Sequence, residues 1–149
     1  MRKVFLIGVL VGTVTAASAQ DAAESAVEVR QAVLTLMKNN YGPLAGMARD
    51  KIDYSAETAT TRAERLAQLA NMLGDAFAYD TRGYAGETDA LDAIWENPED
   101  FADKLKTAVS RAEALSAIAG NGKSSEFVQA VGAMGKACGG CHDEYKVDD

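Results

Sequence analysis

The sequence predicts an all-α fold, an antiparallel four-helix bundle. Four segments carry apolar residues at alternating steps of three and four, the spacing of a helix with one buried face. The connections between them are short, which favours antiparallel neighbours. Near the C-terminus, Cys138-Gly139-Gly140-Cys141-His142 reads C-x-x-C-H, the attachment signature of a c-type haem. The expectation is therefore a bundle with haem c covalently attached to its last helix.

The motif has a physical logic. Two thiols add to the haem vinyl groups, and the following histidine supplies an axial nitrogen to the iron. On a helix Cys138 and His142 are four apart and share a face, with Cys141 one position round. His142 is the chain's only histidine and the two cysteines are its only thiols. A thioredoxin-like C-x-x-C redox protein without haem is the competing reading, but such pairs open a helix after a strand, and no strand pattern surrounds this one. Zinc wants four nitrogen or sulfur ligands and finds three.

The first residues, Met1-Arg2-Lys3, an apolar run from Val4 to Val14, and Ala17-Ser18-Ala19 form a secretory signal peptide, residues 1–19, with cleavage expected after Ala19. The apolar run falls short of a membrane span. Residues 20–149 then make one domain. Without Arg2 and Lys3, 13 basic residues face 22 acidic ones, a formal charge of −9. An acidic domain with no Lys/Arg cluster argues against nucleic acid or anionic membrane as partner. The expected product is a soluble, exported, periplasmic protein.

The first helix is expected from Ala22 to about Arg49, with Val27, Leu34, Met37, Tyr41, Leu44 and Ala48 on its stripe. Arg30 falls on that stripe and needs either a partner, such as a haem propionate, or a path to the surface. Tyr41-Gly42-Pro43 is expected to kink or briefly break the helix. Ser55 caps a second helix, with Glu57 in its first turn and Ala59, Leu66, Leu69, Ala70, Leu73 and Phe77 along its stripe. Residues 79–88 read as a loop, then a short turn holds Leu91, Ile94 and Trp95, the last a core plug. Asn97-Pro98-Glu99-Asp100 opens the third helix, carrying Phe101, Leu105, Ala108, Ala112, Leu115 and Ala119. Gly120-Asn121-Gly122 ends it. The fourth starts near Ser124 and runs through Phe127, Val131, Met134, Cys138, Cys141 and Tyr145, so the haem motif continues its core stripe.

C-x-x-C-H at the end of four exported helices resembles the class II c-type cytochromes, above all cytochrome c′. The likeness covers essentially the whole mature chain. It rests also on Arg30-Gln31 followed by Leu34-Thr35-Leu36-Met37, on Tyr54, on Ile94-Trp95 and on the closing Cys141-His142-Asp143-Glu144-Tyr145. The resemblance implies a five-coordinate iron held by His142, with Leu34 over the empty side and Phe77 beside it. It implies Arg30 and Gln31 near a haem propionate. In related low-spin members a methionine stands at the Leu34 position and ligates the iron. Leucine cannot, and Met37, three residues on, reads as core packing. Lys146 stands where the family usually has arginine, which keeps the charge but loses the planar guanidinium. The resemblance further implies binding of NO and CO, single-electron transfer with an unidentified redox partner, and a homodimer. No general base, nucleophile or substrate cleft is legible, so no enzymatic turnover is expected. The alternatives are a Met–His electron carrier and the haem-free thiol protein.

Overall fold

The computed structural model describes residues 14–148. Most of the expected signal peptide lies outside the described residues. Four long helices, α1 (Val14–Ala48), α2 (Ala56–Asn71), α5 (Pro98–Ile118) and α6 (Ser125–Tyr145), form the bundle, and two single turns, α3 (Leu73–Ala76) and α4 (Ala93–Glu96), lie in the second connection. Among the described residues no helix is long and apolar enough to cross a membrane.

On α1 the buried face runs through Ala23, Val27, Arg30, Val33, Met37, Asn40, Leu44 and Met47. Leu34 departs from the expected stripe and stays 38% exposed, while Val33 takes the interior position. Residues 33 and 34 flank the same line on a 3.6-residue helix, so spacing alone does not choose between them. Pro43 does not break α1, which is continuous through it. Proline cannot donate to the Asn39 carbonyl one turn back. The Arg62 guanidinium from α2 donates to that carbonyl instead, Nη1 to oxygen 3.3 Å.

The expected cap holds at Ser55, and Ser124, at the expected start of the last helix, caps α6 as well; their hydroxyls accept from the amides of Thr58 and Phe127 at 3.3 and 3.2 Å. Asn97 holds the N-cap position of α5, but its side chain turns back and donates to the Ala93 carbonyl at 3.2 Å. Pro98 in the first turn and Glu99 and Asp100 beside it start that helix without a side-chain cap. Gly122, at φ +100°, makes the left-handed turn into α6 that a side chain would resist.

At the end of the bundle holding both long-helix turns, the Tyr54 hydroxyl donates to the Ala119 carbonyl at 2.6 Å and accepts from the Gly122 amide at 3.0 Å. Its ring meets Phe127 edge-on at 5.5 Å. The main core is layered from Leu44, Leu66, Leu115, Phe127 and Met134, all at most 1% exposed, with alanines between them. Small residues let the helices approach closely along α1/α2, α2/α5 and α5/α6. The fourth side is different: α1 meets α6 only sparsely.

Candidate functional site

The sparse seam is where the C-x-x-C-H motif sits. The Tyr41 hydroxyl donates across it to the Val131 carbonyl at 3.0 Å, which fixes the register of α1 against α6. The two helices run antiparallel. Moving seven residues back along α1 and seven forward along α6 brings Leu34 level with Cys138, and eleven brings Arg30 level with His142. Leu34 and Tyr41, seven apart, lie within about 20° of one another around α1, so Leu34 is on the side that looks toward α6.

Two glycines show where the seam opens. A Cβ at Gly135 would collide with the Tyr41 hydroxyl, so here the helices touch only because α6 lacks a side chain. One turn further, on the same face, a Cβ at Gly139 would meet nothing within 4 Å. At that level, that of Leu34 and Cys138, there is open space beside α6. Leu34, on the α1 face toward α6, is left partly exposed there.

Cys138 and Cys141 are free, half-buried thiols. Cys138 packs against the main core, and Cys141 against a second cluster built on Ile94, Phe101 and Tyr145. Burial pushes the Cys138 thiol up, and pushes Cys141 up to about 11, an effect that nearby Lys104 offsets only in part. Both stay protonated at neutral pH. Sulfur in the neutral form favours the folded apoprotein below pH 9, and that contribution is lost as pH rises through about 11. Alkylation of Cys141 in haem-free protein is therefore expected to titrate near pH 11 when folded and about two units lower in urea. A midpoint near 9 in the folded state would contradict the burial. His142, immediately after Cys141 on α6, is exposed.

The second cluster is a chain of rings. Phe77 meets Phe101 at 5.0 Å, Phe101 meets Tyr145 at 5.0 Å, and both contacts are edge-on. The Tyr145 hydroxyl donates to the Asp100 carboxylate at 2.6 Å, which, with burial, pushes that phenol up to about 12. Just beyond, Leu91 N donates to the Tyr145 carbonyl at 3.0 Å and Val147 N to the Asp89 carbonyl at 2.9 Å. This two-bond bridge ties the end of α6 to the second connection. Lys146 donates to the Val147 carbonyl at 3.0 Å and lies 3.8 Å from the Asp89 carboxylate.

Arg30 closes the site on the α1 side. It does not snorkel; it is 2% exposed. Its guanidinium carbon stands 4.6 Å from the centre of the Phe77 ring and 5.2 Å from Trp95. Nε donates to the Ala76 carbonyl at 3.4 Å and Nη1 to the Thr81 hydroxyl at 3.3 Å, while Nη2 is buried with no partner. Burial lowers its pKa, with no carboxylate there to compensate. A buried cation with a vacant donor calls for an anion. That vacancy, the open space beside α6, two nearby thiols and an exposed histidine together fit haem c with a carboxylate at Arg30.

The structure thus brings Cys138, Cys141, His142, Arg30, Leu34 and Phe77 to one end of the α1/α6 seam. Gln31 is exposed and makes no side-chain hydrogen bond among the described residues. Met37 is buried in the main core. Trp95 is half-buried and serves as a wall for Arg30 rather than a plug under the loop. Thr81 was not legible as a site residue. It is a buried hydroxyl within a polar loop, and nothing in the composition of that loop sets it apart.

A family model for cytochrome c′ matches residues 25–146. Cytochrome c-554 of Cereibacter sphaeroides is 38% identical over 137 residues, covering 89% of each chain. Among solved structures, cytochrome c′ from Shewanella frigidimarina superposes with a TM-score of 0.79 at 33% identity, over 85% of this chain and 97% of that one. A ferrous arginine-to-lysine variant of cytochrome c′ from Alcaligenes xylosoxidans, with NO bound, superposes with a TM-score of 0.76 at 30% identity, over the same shares.

Proposed function

The chain belongs to the cytochrome c′ family and carries haem c on Cys138 and Cys141, and from that premise we propose that it is an exported gas-binding haem protein with a five-coordinate iron held by His142. The observation that carries this reading is Leu34, a partly exposed apolar side chain with no coordinating atom, level with Cys138 on the α1 face toward α6, where open space lies beside α6. The haem supplies an iron that binds diatomic gases and exchanges single electrons.

The residues then act on what can approach. Leu34 offers bulk and no coordinating atom. An apolar approach penalises charged or strongly hydrated ligands and leaves neutral diatomics untaxed. With no hydrogen-bond donor from Leu34, O₂ gains little polar stabilisation, whereas NO and CO need none. Binding of NO by the Alcaligenes xylosoxidans relative supports the same assignment. Phe77 holds the far wall through Phe101, and Arg30 receives a haem carboxylate. Met37 packs in the core and leaves the iron alone. Gln31, at the exposed shoulder beside Arg30, borders the same carboxylate edge.

The leader at residues 1–19 directs the protein to the periplasm, where it acts as a soluble, non-catalytic carrier. The outward apolar residues Val29 and Leu36, seven apart on α1, support a homodimer packed through that helix.

The test is the optical spectrum of reduced protein with and without CO. A broad high-spin ferrous band that shifts at once with CO is the expected result; sharp, split low-spin bands with slow CO uptake would assign a sixth protein ligand instead. Leu34→Ala is expected to raise the CO association rate on the order of tenfold, the equivalent of about 1.4 kcal/mol of barrier. An unchanged rate would remove Leu34 from the gate.

A further inference from the structure

We propose that Thr81 and Trp95, both on the second connection, are positioning residues that hold the Arg30 guanidinium so that its Nη2 remains free for the haem carboxylate. The proposal rests on the haem reading of this site. A guanidinium has five N–H donors in one rigid fork. Here every group around the fork takes a different edge or face. The Ala76 carbonyl takes Nε at 3.4 Å, the Thr81 hydroxyl takes Nη1 at 3.3 Å, and the Phe77 and Trp95 rings lie 4.6 and 5.2 Å from the central carbon. Nη2 is the one nitrogen of the fork left buried with no partner.

The frame is itself fixed. Trp95 Nε1 donates to the Phe77 carbonyl at 3.4 Å, which locks the indole to the residue whose ring it shares the cation with. Thr81 is 5% exposed, so its hydroxyl is held in the interior rather than borrowed from a mobile surface. Phe77 and Trp95 pack against the same cluster that Cys141 touches. The frame thus links the carboxylate-binding cation to the thiol that carries the haem. A neutral frame has a chemical advantage. An aspartate at position 81 would pair with Arg30 and compete with the incoming carboxylate, whereas a hydroxyl and a carbonyl orient the fork and leave its charge uncompensated.

The experiment follows the haem carboxylate rather than gas binding. In holoprotein, the midpoint potential is measured against pH, and the break in its slope reports carboxylate ionisation; the propionate bending mode in resonance Raman spectra gives an independent readout. Arg30→Gln is expected to raise that break by about 1–3 pH units, the scale of losing an adjacent guanidinium. Thr81→Val, which keeps the shape and removes the acceptor, is expected to raise it by about half a unit. Trp95→Leu should act in the same direction, and Thr81→Ser should restore the original value. If Arg30→Gln moves the break while Thr81→Val and Trp95→Leu leave both the break and the bending mode unchanged, the frame does not position Arg30. If Arg30→Gln moves neither, no carboxylate meets Arg30 and the proposal falls, while the haem assignment stands on the spectrum of the same sample. A sample without haem absorption would overturn both.

Discussion

Serine at both Cys138 and Cys141 is expected to abolish covalent haem: the haem-stained band on a denaturing gel disappears, and acidified organic solvent extracts whatever pigment remains. A hydroxyl does not add to a vinyl group as a thiol does, and the chain has no third cysteine to substitute. Each single serine variant should retain a weakened stain through the remaining thioether. A full-strength band from the double variant would mean that the attachment lies elsewhere. The loss also reaches the fold. Without haem, Leu34 stays uncovered and Arg30 Nη2 stays buried without an acceptor, so the double variant should unfold at lower temperature than the native holoprotein.

Phe127→Ala is expected to cost about 3–5 kcal/mol, the range for deleting a fully buried ring and leaving part of its cavity. Phe127 is 0% exposed, its ring meets Tyr54, and it sits in the first turn of the helix that carries the haem. For a domain of this size the loss corresponds to a melting temperature lower by about 10 °C or more. Val128→Ala, one residue on and 40% exposed, is the control and should stay within about 0.5 kcal/mol. Thermal melts of both variants decide the matter; equal losses would mean that the Phe127 pocket collapses around the smaller side chain.

Much of this architecture was legible because helices declare themselves by period and by ends. Ser55 is a cap whose hydroxyl has no better use, Ser124 stands at the expected start of the last helix, and Gly122 marks a turn that few other residues tolerate. The C-x-x-C-H spacing is chemistry written in consecutive residues, so it too could be read directly. What escaped the sequence was set by neighbours distant along the chain. Leu34 and Val33 compete for one interior position, and only the approach of other helices decides between them. Pro43 looks like a break until Arg62 supplies the missing donor from another helix. Asn97 has the right identity for a cap, yet its amide prefers the carbonyl one turn back. Arg30 posed a question that periodicity cannot answer, and its surroundings come from residues 46 and 51 positions away. Thr81 has no signature at all. A buried hydroxyl in a polar loop is recognised only by what donates to it.

The sparse seam has a kinetic meaning as well. The close pairs α1/α2, α2/α5 and α5/α6 each join helices that follow one another among the long four, so their loops close over short stretches of chain. The Tyr41–Val131 bond that spans the seam closes 90 residues at once. Loop closure grows costlier with length, and non-local pairings form late. The α1/α6 side should therefore be the last of the four to close, after each helix has already found its neighbour along the chain, and it is the side beside which both thiols lie.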